Sequence, residues 1–357
     1  MSATKYTNRS IPRISLKDFD NRIDEITSQL VQAAETDGFF SITDTEISIA
    51  EIDAIFATSE SFFALPDDVK STVPFSSKNV GWEKKGQIRP STGVADQKES
   101  YQLQFGVHMK DKWIHESFLP HFKLDAQHFM HKAQSVSEKL MLCFARGLGF
   151  PDRHFIQAHD PSRPDSQSVL RLLHYFEIDK KTSLPLPPDY HRAGAHADWD
   201  LLTLLFQRQP GYSGLEICPG REVVTSFGMG DTWTKVEFAR GDIVCNIGDL
   251  LMSWSDDRFK STFHRVLAPR DVERDDFGAR YSIAFFNQPN VDCEIQGPRK
   301  KYPLVTGREF TRRAMERNFA ALKMRQEEEE EEQRQRQKGE VGQGVAVGGG
   351  KQGVVAA

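Results

Sequence analysis

The 357-residue chain has no apolar run approaching the ~18 residues that a membrane-spanning helix needs. Its opening, MSATKYTNRSIPRI, lacks the apolar stretch of a secretory signal. Cysteine is scarce: Cys143, Cys218, Cys245 and Cys293 lie far apart, with no CxxC pair. That pattern predicts reduced thiols in a cytoplasmic protein rather than a disulfide framework. Charge of one sign is lacking too, since 46 Lys and Arg stand against 51 Asp and Glu for a net of −5. Residues 326–357 hold seven Glu against four Lys and Arg, so the remainder is nearly neutral. A basic face for nucleic acid or an anionic membrane is therefore excluded. No GxGxxG, phosphate-loop or kinase signature occurs, and no internal repeat. The expected partner is a small-molecule substrate, on a chain expected to be monomeric with a homodimer left open.

What the chain does have is aromatic bulk, with 25 Phe in a composition 38% hydrophobic and 27% charged. Those proportions fit a folded protein with a core rich in phenylalanine. Ile23, Ile26, Leu30 and Ala33 or Ala34 recur at helical spacing, with Gly38 where a stop would fall. A second helical stretch carries Ile52, Ile55, Phe56, Phe62 and Phe63. A third runs from Phe129 through Leu140 to Leu148 and ends at Gly149-Phe150-Pro151. Residues 75–105 read as loops and short strands.

From about residue 168 the pattern shortens into β-rich runs: SVLRLLHYF, LLTLLFQ, LEIC, EVVT, TKVEF, DIVCNIG and RYSIAFF. Turn signals separate them, and no strand–helix alternation follows, so a sandwich or barrel is expected rather than a doubly wound sheet. The resulting division is a mostly helical region over 1–160, a β core over 161–295 and a C-terminal helix over 296–325. A solvated acidic and Gly-rich tail over 326–357 follows, with a composition that cannot bury a core.

The segment GAHADWDLLTLLF sets His196 and Asp198 two apart at the start of a β-run, where they would share a face. One histidine follows Asp198 in the whole chain, His264 in KSTFHRV. Two imidazoles and one carboxylate form a facial set that suits non-haem Fe(II) and leaves positions open for substrates and O2, though Zn(II) accepts the same ligands. Arg280 and Ser282 open a later strand, again on one face. A guanidinium fork beside a hydroxyl suits a carboxylate. Iron with adjacent open positions and such a clamp matches a short 2-oxo diacid.

Four segments stand in one order: His196-x-Asp198 followed by LLTLL, Asn246-Ile247-Gly248-Asp249, Lys260-Ser261 leading to His264-Arg265-Val266, and Arg280-x-Ser282 followed by Phe285-Phe286. Over roughly residues 10–325 the chain resembles a 2-oxoglutarate/Fe(II)-dependent dioxygenase of the isopenicillin N synthase-like superfamily, in a fungal-type form. The resemblance implies a mainly β fold with flanking α, a double-stranded β-helix (jelly-roll) core, a helical N-terminal region and a C-terminal helix. It implies that His196, Asp198 and His264 bind Fe(II), and that Arg280 and Ser282 hold the distal carboxylate of 2-oxoglutarate. Tyr175 matches the tyrosine that hydrogen-bonds this co-substrate, although Phe176 replaces the family's following proline. O2 is the other co-substrate, and oxidative decarboxylation of 2-oxoglutarate is coupled to hydroxylation, desaturation or cyclisation of a small molecule, expected to belong to specialised metabolism.

Several residues keep two readings. Trp199 and Phe286 are candidate substrate contacts, with core packing the alternative for Trp199. Lys98, Glu99 and Tyr101 either edge the substrate pocket or lie on a surface loop. Asp249 is expected in a turn rather than on the metal, and His174 and His191 in structural or solvent-facing roles. Two functional alternatives stand beside the main one. An oxidase of the isopenicillin N synthase type would dispense with 2-oxoglutarate and use the Arg-x-Ser pair for its substrate's own carboxylate. A non-catalytic binding protein on the same fold would carry a broken triad, whereas all three ligands are intact here.

Overall fold

The computed structural model describes residues 4–86, 96–181, 183–186, 190–226 and 228–316. Two edge strands, β1 (Lys5–Tyr6) and β2 (Arg13–Ser15), precede helix α1 (Ile23–Thr36). Ile26, Leu30, Ala33 and Ala34 form its buried stripe. Gly38 follows at φ +63°, and a Cβ there would lie 1.7 Å from the Lys260 carbonyl, so glycine is required twice over. Strand β3 (Phe39–Thr43) comes next. Helix α2 (Ile49–Phe63) opens with a reciprocal Ser48–Glu51 capping box. A short turn α3 (Asp67–Lys70) leads to strands β4 (Gly81–Lys84) and β5 (Lys98–Gln104). Helix α4 (Phe122–Leu148) ends at left-handed Gly149, where the chain was expected to stop.

After the short helix α5 (His154–Ala158), eight strands follow: β6 (Val169–Tyr175), β7 (His191–His196), β8 (Leu202–Phe206), β9 (Gly211–Cys218), β10 (Thr232–Phe238), β11 (Ile243–Ile247), β12 (Phe263–Leu267) and β13 (Arg280–Phe286). Helix α6 (Asp249–Trp254) interrupts them. One sheet runs β2-β3-β11-β8-β13-β6-β5-β4 and the other β1-β10-β9-β12-β7. Four of the eight strands fall in each sheet, which is the double-stranded β-helix.

Strand alternation divides the core into two. Ile283 and Phe285 of β13 face the helices with Leu170, Leu172, Leu204 and Phe206. Ala284 and Phe286 face inwards with Leu173, Tyr175, Val244, Leu215 and Val266. The polar groups Arg280 and Ser282 lie on that inner face, so the interior between the sheets is where chemistry can be housed.

Beside its helices, the N-terminal region supplies β3, which pairs antiparallel with β11 and extends the larger sheet. Two local expectations differ. The run EVVT forms turns instead of a strand; Val224 N–H donates to Asp257 Oδ1 at 2.9 Å, and its carbonyl accepts from Arg221. Within 75–105, Lys98–Gln104 is a wholly buried strand rather than a surface loop. A helix from 307 continues to 316, the last described residue, so the rest of the expected C-terminal helix and the acidic tail lie outside the described residues.

Candidate metal and co-substrate site

His196 ends β7 and His264 lies directly opposite it on β12, so sheet register alone brings the two imidazoles together, ring centroids 4.3 Å apart. Asp198 joins them from the turn after β7 and not from a strand as its spacing suggested. Its backbone carbonyl accepts from Asp249 N–H at 2.8 Å, which fastens the turn to the start of α6. Gly248 allows the approach, since a Cβ there would lie 2.1 Å from the Asp200 carbonyl.

Each ligand is oriented by its other atom. His196 Nδ1 lies 2.8 Å from the Gly194 carbonyl and His264 Nδ1 3.2 Å from that of Thr262. A carbonyl only accepts, so each Nδ1 carries the proton and each Nε2 presents its lone pair. Asp198 Oδ2 accepts from Thr203 Oγ1 at 2.6 Å and from Asn246 Nδ2 at 2.9 Å. Its Oδ1 is thereby turned to the histidines, 3.7 Å from both Nε2 atoms. The three donor atoms lie within 4.8 Å of one another, the one such group among the described residues. Burial alone would raise the Asp198 pKa; the neighbouring His264 and His196 and the two hydrogen bonds outweigh it and hold the carboxyl well below its usual range. Asp200 next door goes the other way, pushed up by burial and by the charge of Asp198.

The second half of the site lies across the interior. Arg280 pairs with Tyr175 in register between β13 and β6. Its guanidinium sits 5.0 Å from the Tyr175 ring, and Nη2 donates to Ser213 Oγ at 3.1 Å. Nε and Nη1 are buried and have no hydrogen-bond partner. A cation with two buried unpaired N–H groups is costly unless an anion meets it, which is the fit a carboxylate provides. Ser282 is buried one step along the same face. The donor set at one end and the unpaired fork at the other fit a metal and a 2-oxo diacid respectively.

The remaining candidates separate. Phe286 is inward-facing, opposite Thr203 in register, with the Arg171 guanidinium 4.8 Å from its ring. Trp199 is half-buried in the turn beside Asp198. Lys98 is the β5 neighbour of Tyr175 and is ion-paired to Asp96 at 2.8 Å. Asp96 in turn accepts from Gly194 N–H at 3.2 Å, two residues before His196. Tyr101 is not at the site: it is fully buried on the opposite face, stacked between Phe62 and Phe122, with its hydroxyl bonded to the Lys112 carbonyl. Glu99 shares that face and binds Lys70, Trp82 and His174. Asp249 pairs with Arg221 and Ser261 and stays off the histidines.

Sequence reading gave no role to Thr203, Asn246 and Ser213. The first two are polar residues inside apolar runs on buried strands, a signal that was available. Ser213 lay in a turn-like stretch and carried none.

The comparisons with known proteins agree with this geometry. Residues 166–289 match the family described as the 2OG-Fe(II) oxygenase superfamily, and residues 11–121 match that described as non-haem dioxygenase in morphine synthesis N-terminal. A proline hydroxylase of Petromyces alliaceus is 31% identical over 80% of this chain and 89% of its own length. A 2-oxoglutarate-dependent dioxygenase of Aspergillus rugulosus is 30% identical over 75% and 83%. The crystal structure of Neurospora crassa T7H in complex with alpha-KG superposes with a TM-score of 0.73 at 25% identity, covering 88% of this chain and 99% of that one. No helix among the described residues is long and apolar enough to cross a membrane. The chain belongs to the 2OG-Fe(II) oxygenase superfamily, and is an iron- and 2-oxoglutarate-dependent dioxygenase.

Proposed function

We propose that this dioxygenase couples the oxidative decarboxylation of 2-oxoglutarate to the hydroxylation of a small molecule of specialised metabolism, with desaturation or ring closure as variants of the same outcome. His196, Asp198 and His264 are the iron ligands, and Arg280, Ser282 and Tyr175 hold the co-substrate. The observation that carries this is the pairing of a three-ligand cluster with a buried fork whose Nε and Nη1 lack partners.

Iron and 2-oxoglutarate together supply the O2 activation that no side chain can perform. The chain's own contribution is geometry. Thr203 and Asn246 turn one oxygen of Asp198 towards the metal position, and the carbonyls of Gly194 and Thr262 fix the histidine tautomers. Arg280 and Ser282 orient the distal carboxylate so that the keto-acid end reaches the metal. Phe286, Trp199 and Lys98 edge the substrate position, and the inward apolar side chains around them exclude water. The relatives named as a proline hydroxylase and as fungal 2-oxoglutarate-dependent dioxygenases support a small-molecule substrate.

Succinate release across a panel of free amino acids, cyclic amides, polyketides and terpenoids tests the reading. Substrate-stimulated succinate carrying one oxygen atom from O2, with the other in any hydroxylated product, supports it. Substrate oxidation with no requirement for 2-oxoglutarate would replace it by the oxidase alternative.

A further inference from the structure

Arg280 is not the only arginine in the β core with a buried, unpaired N–H group. Arg192, on β7 four residues before His196, is 6% exposed. Its Nη2 donates to the Gly278 carbonyl at 2.9 Å and the Asp276 carbonyl at 3.4 Å, on the segment entering β13 just ahead of Arg280. Its Nε is buried with no hydrogen-bond partner, as are Nε and Nη1 of Arg280. No carboxylate forms an ion pair with either guanidinium among the described residues; Asp276 offers Arg192 its backbone carbonyl, and its carboxylate acts only from beyond ion-pair distance. Burial, and after it the charge of Arg280, push Arg192 down to about 10 against the opposing Tyr175, Asp276 and Tyr190, and burial lowers Arg280 likewise. Two cations with buried, unpaired N–H groups and no ion-paired carboxylate weaken the empty protein, and an anion that reaches both relieves that cost.

We propose that Arg192 is a second cationic arm of the co-substrate site, sharing the distal carboxylate with Arg280 and setting selectivity for 2-oxo diacids over 2-oxo monoacids. This rests on the reading of Arg280 as the carboxylate clamp. The simpler alternative is a latch, in which Arg192 only pins the loop to the barrel through its bonds to Gly278 and Asp276. The two differ in sign. A latch strengthens the empty protein, whereas a charge arm weakens it.

The test uses full-length protein loaded with redox-inert Zn(II), with calorimetric binding of 2-oxoglutarate and of 2-oxobutyrate, which lacks the distal carboxylate. Arg192→Gln removes the charge and, its side chain ending level with the Arg Nε, the bond to the Gly278 carbonyl as well, so a latch predicts a lower ligand-free melting temperature. The variant's preference for 2-oxoglutarate over 2-oxobutyrate is expected to fall at least about tenfold, with ligand-free melting temperature equal to or above wild type. Arg192→Lys, which keeps the charge, is expected to retain the preference within about threefold. An unchanged preference in Arg192→Gln, equal weakening of both acids, or loss of the preference in a well-folded Arg192→Lys would overturn the proposal. Failure of the wild-type protein to bind 2-oxoglutarate at all would instead overturn the reading of Arg280 beneath it.

Discussion

Asn246 Nδ2 lies 2.9 Å from Asp198 Oδ2, on the carboxylate oxygen that faces away from the two histidines. With Thr203 Oγ1 at 2.6 Å on the same oxygen, it makes Asp198 a one-oxygen ligand with a fixed direction. Asn246→Ala with Thr203→Val is expected to weaken metal binding by about 10- to 100-fold with the fold retained. Metal titration of the purified double variant, alongside circular dichroism, measures both. Metal affinity equal to wild type would show that the carboxylate needs no such support.

Lys70 and Glu99 form a buried ion pair at 2.8 Å, each 3% exposed, with Trp82 and His174 completing the carboxylate's bonds. Lys70→Met removes one partner and leaves a buried charge, so a loss of about 3–5 kcal/mol is expected in urea unfolding. Replacing the pair together, Lys70→Met with Glu99→Gln, is expected to recover a good part of it.

His159 is wholly buried, with Nδ1 2.7 Å from the Phe155 carbonyl, and burial holds its pKa down to about 4. Its folded value is depressed below the unfolded ~6.5, so the unfolded chain takes up the proton first as pH falls. The wild-type protein is expected to lose up to about 3 kcal/mol of stability between pH ~6.5 and ~4 from this group. His159→Asn flattens that part of the pH–stability curve if the assignment holds. An unchanged slope would transfer the effect to other groups.

Gly38→Ala sets a Cβ into the space occupied by the Lys260 carbonyl at a left-handed position. Lys260 N–H also donates to the Ala34 carbonyl at 2.8 Å, so the segment approaching His264 is tied to the end of α1. The substitution is expected to cost about 2 kcal/mol or more, and to lower metal affinity with it. Thermal melting with and without Zn(II) reads the two effects.

Much of this was legible in the residues. Ile26, Leu30 and Ala33 announced α1 because helical burial has a period that survives without tertiary context. His196, Asp198 and His264 were legible because metal ligation demands particular atoms, and His264 is the one histidine after Asp198. The ligands' route was not: Asp198 sits in a turn, since the carboxylate must swing back beside β7 rather than continue along it. Tyr101 was misplaced among the substrate contacts because a buried strand with polar residues on one face and Tyr101 and Leu103 on the other resembles a loop in sequence. The strand β3 was hidden by the helical patterns on either side, and its pairing with β11 joins residues some two hundred positions apart. Arg192 carried no signal, because its partners are backbone carbonyls of a distant loop.

The most direct test is anaerobic titration of metal-free protein with Fe(II) and then 2-oxoglutarate, following the visible metal-to-ligand charge-transfer band. Wild type is predicted to show the band, Arg280→Ala to need far more 2-oxoglutarate to reach it, and His196→Ala to lose it. Iron binding with no band at saturating 2-oxoglutarate, or a band unaffected in both variants, would contradict the assignment of these residues.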